Sequence, residues 1–301
     1  MIDTVLSVLG GALRTAAPLL LGALAGLFSE RAGVVDVGLE GKMLVGAFAA
    51  AAVAAVTGEA LAGLAAAVAA ACVLGLLHGW ACVTLRGNQV VSGMALNIVA
   101  SGLTATVALL LFHQGGQTPP LPPGARFLPM EPGGQTVLTW AAFLLVPVSA
   151  FVLNGTRFGL RLRACGENPG AADTAGVSVA RLRYAGVMIA AVLCGIAGAS
   201  IATGQGAGFT RDMVSGRGYI ALAAMILGKW RPWPSCAACL GFGLLDAMAI
   251  RLGGVSVPGI GAVPTEAVQA VPFAATVLLL AGFVGRSVPP RAAGEPYVKE
   301  R

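Results

Sequence analysis

Long apolar runs, each close to one bilayer in length, alternate with short polar turns along almost the whole chain. The first is Val5–Phe28, closed by Ser29-Glu30-Arg31. Others follow at Val35–Val56, the alanine-rich Leu61–Leu85, Val90–Phe112, Val137–Leu153, Ala185–Thr203, Pro234–Ile250 and Val268–Phe283. About 20 apolar residues cross the hydrocarbon core as a helix, and in lipid the backbone must satisfy its own polar groups. The pattern therefore predicts an all-α, polytopic transmembrane helical bundle. Two stretches depart from it. His113–Thr136 holds six prolines and five glycines, which exclude a spanning helix and mark a long loop. Gly216–Leu227 is apolar but short, as re-entrant and half-helices are. The expectation is about eight to ten helices, some short or broken. They form a single transmembrane domain over residues 1–285, followed by a polar tail at 286–301.

Composition agrees with this reading. The 301 residues are 57% hydrophobic and 11% charged, with a mean hydropathy of +0.84, whereas soluble domains carry roughly a quarter charged residues. The net charge of +6 does not point to nucleic acid, because the basic residues sit in short loops and in the tail. Arg157, Arg161, Arg163, Arg181 and Arg183 share one loop; Arg286, Arg291, Lys299 and Arg301 lie in the tail; Lys229 and Arg231 flank a short turn. The proline-rich loop has only Arg126. The positive-inside rule then puts the arginine loop and the tail in the cytoplasm and the proline-rich loop outside. The opening MIDTVLSVLGGALR lacks a basic n-region, and Arg14 breaks its apolar run, so it reads as a span rather than a cleaved signal.

No catalytic motif is apparent. His78 and His113 are far apart and lack zinc spacing. Cys236 and Cys239 form a CxxC with no second pair to complete a metal site. Gly41-Lys42 is followed by Met43, and Gly228-Lys229 by Trp230, so neither is a phosphate loop. The reading is a protein that is not an enzyme, needs no cofactor or metal, and relies on a partner for any ATP-driven work.

Polar residues inside apolar runs are the candidates for a substrate path, since each is costly in a membrane. Asp36, Glu40 and Lys42 open the second run. Glu40 follows Asp36 by one turn on the same helical face, while Lys42 points elsewhere. They mark either a helix start, with Lys42 reaching the headgroups, or a polar cavity. Asn88 and Asn97 flank and enter the fourth run; Asn97 serves either helix packing or a ligand hydroxyl or base edge. Asp246 lies deep in its span, with Arg251 as one possible partner. Phe209, Tyr219, Trp230 and Trp233 flank the short Gly216 segment, either as depth anchors or as stacking surfaces. GVVDVGLEGKMLVGAFAA and GRGYIALAAMILGKW echo each other weakly, as a repeat-built transporter would or as chance similarity between Gly/Ala-rich helices would.

The arginine segment Gly155–Tyr184 is the largest polar stretch in the chain. Gly166-Glu167-Asn168-Pro169 is a natural helix start, because proline is favoured at the first helical position. Ala171–Ala175 then makes a short surface helix ended by Gly176. Such a knob suits docking of a soluble partner; an ordinary solvated loop is the alternative.

Four ordered motifs carry a resemblance: SERAGVVDVGLEGKMLVGAF, GNQVVSGMALN, RACGENPGAADTAGVSV and GRGYIALAAMILGKW. Together they resemble the permease subunits of bacterial ABC importers, in the family of ribose and branched-chain amino acid permeases, and most of all its nucleoside-type, or simple-sugar, branch. The resemblance implies a passive pore subunit of the cytoplasmic membrane, moving nucleosides or related sugars and paired with a second related permease. It implies a cytosolic ATP-binding subunit docked at Cys165–Gly176, with Arg163, Gly166, Glu167, Asn168, Pro169 and Gly176 in the coupling segment. It also implies an extracytoplasmic substrate-binding protein, and short helices at Gly33–Gly46 and Gly216–Gly228 beside the path. Asp36 departs from the pattern, since Asn is expected there in much of this branch. The other reading is an autonomous secondary transporter, with Asp36, Glu40 and Asp246 as the only candidates for a coupling-ion site.

Overall fold

The computed structural model describes residues 2–130, 134–252, 256–257, 261–262, 270, 274 and 287–299. Ten α-helices appear among them: α1 (Ile2–Arg31), α2 (Leu39–Thr57), α3 (Ala60–Gly79), α4 (Gln89–Phe112), α5 (Val137–Gly155), α6 (Arg157–Glu167), α7 (Pro169–Thr174), α8 (Val179–Ala199), α9 (Arg217–Leu227) and α10 (Pro232–Leu252). Wider π-type turns extend α3 through Trp80–Thr84 and α8 through Ser200–Gln205. Seven of these helices are long and apolar enough to cross a membrane, and α9 is not. Ser256–Val257 (β1) and Gly261–Ala262 (β2) form a two-residue antiparallel pair, the only named strands among the described residues. The span expected at Val268–Phe283 lies outside the described residues.

Small side chains set the packing. Hydrocarbon gives apolar helices no reason to associate, so close backbone approach and dispersion must hold them together. On α2 the inward face is Gly41, Gly46, Ala47, Ala50, Ala51 and Ala54. A Cβ on Gly198 of α8 would lie 2.3 Å from the Met43 carbonyl oxygen, and one on Gly195 would lie 2.7 Å from Val68 Cα of α3. A Cβ on Gly63 of α3 would stand 2.6 Å from the Ala50 carbonyl oxygen. So α2, α3 and α8 meet backbone to backbone. α1 and α8 bury 67% and 72% of their most apolar stretches and form the centre; α4 buries 17% and lies outside. The exposed side of α4 is apolar, with Val91, Ile98, Leu103 and Leu110 uncovered, as a face toward lipid or a membrane partner requires.

The ends of the bundle are distinct. At one, Arg14 donates to Gly134 O at 3.2 Å and Gln135 donates to Gly10 O at 2.9 Å, so the proline-rich loop covers the start of α1. At the other, the end of α1 meets α6, the start of α10 and the tail: Arg31 Nη2 donates to Trp230 O at 2.8 Å, and Ala292 N donates to Gly166 O at 2.8 Å. The arginine segment and the tail therefore share one end, with the proline-rich loop opposite.

Two expectations need correction. In the arginine segment the short surface helix is present as α7, but Arg157–Glu167 is a second helix, α6, rather than loop, and Arg181 and Arg183 lie on the first turns of α8, with Arg183 buried. The alternating Arg and Leu of α6 wrap a helix with Leu162 and Cys165 buried and Leu160 and Arg161 outward, a 3.6-residue period hidden by the high charge. The second run becomes helical only at Leu39, so Ala32–Gly38 is an irregular connection and α2 is a full-length helix rather than a short one.

The glycine contacts are testable. Gly198→Val must displace α2 backbone, and overpacking of this kind costs about 1–3 kcal/mol. At Gly102 an added Cβ would meet nothing within 4 Å, so this position accepts Ala with a change below about 1 kcal/mol. Thermal unfolding of the detergent-solubilised variants checks the pair; equal midpoints would refute the packing account.

Candidate functional site

The irregular connection Ala32–Gly38 is held by side chains from four helices, α1 to α4. Ser29 Oγ donates to Val34 O at 2.8 Å, and Gln89 Oε1 of α4 accepts from Val35 N at 2.6 Å. Asp36 Oδ1 accepts from Gly38 N at 3.1 Å, while Asp36 Oδ2 is paired with Lys42 Nζ. His78 of α3 completes the cluster, with Nε2 3.7 Å from Asp36 Oδ1 and 3.2 Å from Val35 O, and Nδ1 3.1 Å from Ser92 Oγ. The side chains of Asp36, Lys42 and His78 are 0% exposed. For Asp36 and Lys42 the spacing argument does not hold as drawn. Asp36 precedes the helix, so it shares no helical face with Glu40, and Lys42 neither points away nor reaches toward headgroups. The three are a sealed ion pair with an imidazole beside it, and such a pair persists only because each charge neutralises the other.

Glu40 faces another way. Its Oε1 accepts from Gly216 N at 2.8 Å and its Oε2 from Gly218 N at 2.6 Å, so one carboxylate caps the head of α9. The N-terminal amides of a helix are unsatisfied donors with a partial positive charge, which a carboxylate matches. Gly218 is required for this approach: a Cβ there would lie 2.7 Å from Glu40 Cα. Asn97 of α4 spends its whole amide on the same junction. Its Oδ1 accepts from Gly41 N at 2.8 Å, and its Nδ2 donates to Val37 O at 3.0 Å and to the Tyr219 hydroxyl at 2.8 Å.

These groups border an open cavity of about 300 Å³, which Glu40, Asn97, Ser101, Asp212, Ser215 and Tyr219 line with polar atoms and Leu44, Met94 and Ile98 with apolar ones. Ser101 Oγ donates to Asp212 Oδ1 at 2.8 Å, and Asp212 and Ser215 both hold positive φ (52° each) in the turn before α9. Of the expected path residues, Glu40 and Asn97 come together here. Asp36 is walled off beneath them. Asn88 caps α4, its Oδ1 accepting from Val90 N and Val91 N at 3.0 Å each. Asp246 is half-buried on α10 and is not among the lining residues. Sequence reasoning missed Ser101, Asp212 and Ser215, and took Tyr219 for a depth anchor or stacking surface when its hydroxyl binds Asn97. The only signal was the break in apolarity just before Gly216.

The coupling candidates lie together at the basic end. Thr156 caps α6 through Gly159 N at 3.1 Å. Asn168 caps α7, its Oδ1 accepting from Ala171 N at 3.0 Å, with Pro169 in the first turn and Gly176 at φ 77° just past the end. Gly166 touches the end of α1: a Cβ there would lie 2.4 Å from Arg31 O. Glu167 Oε1 stands 3.9 Å from Arg31, and Arg163 borders a cavity of about 520 Å³ with Arg31, Trp230 and Arg231. Ala172 points inward against Cys165 and Val179, leaving Gly170, Ala171 and Thr174 exposed. Burial pushes the Cys165 thiol above its ordinary range, which keeps it neutral and unreactive. Among the described residues, no group of three His, Cys, Asp or Glu side chains is placed to hold a metal.

A bundle of apolar helices with a short helix beside a polar cavity is an architecture that suits a membrane transport subunit. Residues 8–280 match the family described as branched-chain amino acid transport system / permease component. The chain is 38% identical to the guanosine ABC transporter permease protein NupQ of Bacillus subtilis, over 94% of each chain. It is 36% identical to the nucleoside ABC transporter permease protein NupC of Lactococcus lactis, over 100% of this chain and 99% of the relative. A glucose ABC transporter permease protein of Haloferax volcanii, TsgB13, is 29% identical over 85% of this chain and 72% of its own length. The chain belongs to this permease family and is a multi-pass membrane subunit of an ABC importer.

Removing either member of the buried ion pair strands the other. Asp36→Asn or Lys42→Met alone should cost about 3–5 kcal/mol, and the double variant should recover most of the loss. Thermal unfolding of the four proteins in detergent measures the coupling; additive losses would show that the pair does not act as a unit.

Proposed function

We propose that the substrate is a nucleoside, carried past the cavity bordered by Glu40, Asn97 and Tyr219 and driven by a separate ATP-binding subunit. The observation that carries this reading is full-length similarity to two permeases named for guanosine and for nucleosides. The cavity supports it: about 300 Å³ lies at the lower end of small-ligand sites, and its mix of carboxylate, hydroxyl and apolar walls suits a ribose edge and a base face. The site is open and its strongest groups already serve the backbone, so substrate is held weakly and released onward without chemical change.

The basic end, with α6, α7 and the tail, faces the cytoplasm, and the proline-rich loop faces the outside of the inner membrane. The exposed face of α7, Gly170, Ala171 and Thr174, is the surface on which the motor docks. A second related permease completes the pore, and an extracytoplasmic binding protein delivers the substrate. An ion-driven transporter would need an uncommitted intramembrane carboxylate. Asp36 is matched by Lys42 and Glu40 by two backbone N–H groups, while Asp246, half-buried on α10, lies outside the cavity lining; the similarity to ABC permeases therefore carries the choice of a separate motor.

The test is uptake of labelled guanosine, cytidine and ribose by cells that carry the chain with its motor, second permease and binding protein. Guanosine or cytidine uptake that vanishes on deletion of the chain is expected; uptake of ribose alone would overturn the nucleoside assignment. Asp212→Asn and Ser101→Ala should each lower nucleoside uptake about 10-fold, the weight of one lost polar contact, with the motor still co-purifying.

A further inference from the structure

The tail touches α9, the Ala32–Gly38 connection, α6, α7 and α8. Ser287 Oγ donates to Ile226 O at 3.1 Å, at the end of α9. A Cβ on Gly33 would lie 3.4 Å from Ala292 O, 3.4 Å from Gly166 Cα and 3.1 Å from Arg183 Nη2. The connection before α2, the end of α6, the start of α8 and the tail thus converge on one point, where Gly33 holds φ 89°. A Cβ on Gly294 would stand 3.6 Å from Val35 Cγ2. Beyond it, the tail reaches α7. Tyr297 packs against the Cys165, Ala172 and Val179 cluster beneath that helix, and Lys299 Nζ lies 3.6 Å from Asp173 Oδ1.

Arg183 anchors this arrangement. It is 1% exposed, and its Nη1 donates to Glu295 O at 2.8 Å. Among the described residues its Nε and Nη2 have no acceptor. A buried guanidinium is tolerated only with acceptors at hand, so the tail carbonyl is part of what allows an arginine to sit there.

We propose that residues 287–299 are a positioning strap, which ties the motor-docking unit α6–α7 to α9 and to the Ala32–Gly38 connection, the segment that leads into the α2 residues lining the cavity. This rests on the reading of α7 as the docking surface. Motor closure presses on α7; the strap and the Gly166–Arg31 contact turn that push into movement of the connection and of α9 together. Without the strap, α7 still binds the motor but shifts alone.

The experiment uses the complete importer in proteoliposomes and measures motor co-purification, ATP hydrolysis and nucleoside uptake per ATP hydrolysed. Tyr297→Ala empties the space under α7 and leaves Arg183 its acceptor; Tyr297→Phe keeps the ring. The expected result is normal co-purification with uptake per ATP lowered about 10-fold in Tyr297→Ala, the scale of a typical inter-site coupling, and restored in Tyr297→Phe. Removal of residues 287–301 should uncouple at least as strongly. Unchanged uptake per ATP in Tyr297→Ala overturns the proposal, including the case where total uptake falls only with the amount of folded protein. Ala171→Arg, on the exposed face of α7, separates the two ideas. Its loss of co-purification upholds the docking surface, and normal assembly and transport by that variant refute it whatever the tail does.

Discussion

A helix that starts inside a membrane protein exposes backbone N–H groups where water cannot meet them, and this chain answers with the Glu40 carboxylate on Gly216 and Gly218. With 11 residues, α9 extends roughly 16 Å, about half of a hydrocarbon core of ~30 Å. Its orphan donors must be paired by side chains, because irregular backbone at that depth survives only where protein or a polar cavity satisfies it. The connection before α2 faces the same demand, met by Ser29, Gln89, Asn97 and the Asp36–Lys42 pair. The polar residues inside the bundle thus serve first to let two interrupted segments exist, and the cavity is the space left between them.

Glycine makes that arrangement possible in a way no larger residue could. Gly41 sits against Asn97, Gly93 against Gly38 and Gly218 against Glu40, each so close that a Cβ would fall within about 3 Å of the facing atoms. The short motifs GLEGK and GRG are the two sides of one junction, which joins the two weakly similar segments through a carboxylate on one and the backbone of the other.

Much of this fold was legible because hydrocarbon imposes a single length scale. Among the described residues, seven runs near 20 residues are helices, the proline-rich stretch contains no spanning helix, and the short Gly216 segment is a short helix. Capping chemistry was equally readable: Asn168, Pro169 and Gly176 bound α7 as their types require. The failures were tertiary. Asp36, Glu40 and Lys42 were placed by helical spacing, but the helix begins three residues after Asp36, so the true partners cross the α2 boundary and involve His78 of another helix. The amphipathic α6 was masked by its charge, since its buried face rests on α5 and the end of α1 rather than on a long apolar stripe. Ser101 and Asp212 carry no motif at all; only the approach of α4 to the turn before α9 brings them together.

Under the proposed coupling, the connection is the route by which a push at α7 would reach the cavity. Its first residues touch α6, where Gly33 lies beside Gly166, and its last touch the cavity wall, where Val37 O accepts from Asn97. Between them Asp36 is tied to Lys42 and to Gly38. A buried ion pair adds little net stability compared with apolar packing, but it resists local rearrangement, because separating the charges in a low dielectric is expensive. That is the property a short link between two moving parts needs. It also gives the carboxylate at position 36 a physical role, since it neutralises Lys42 inside the bundle as an amide would not.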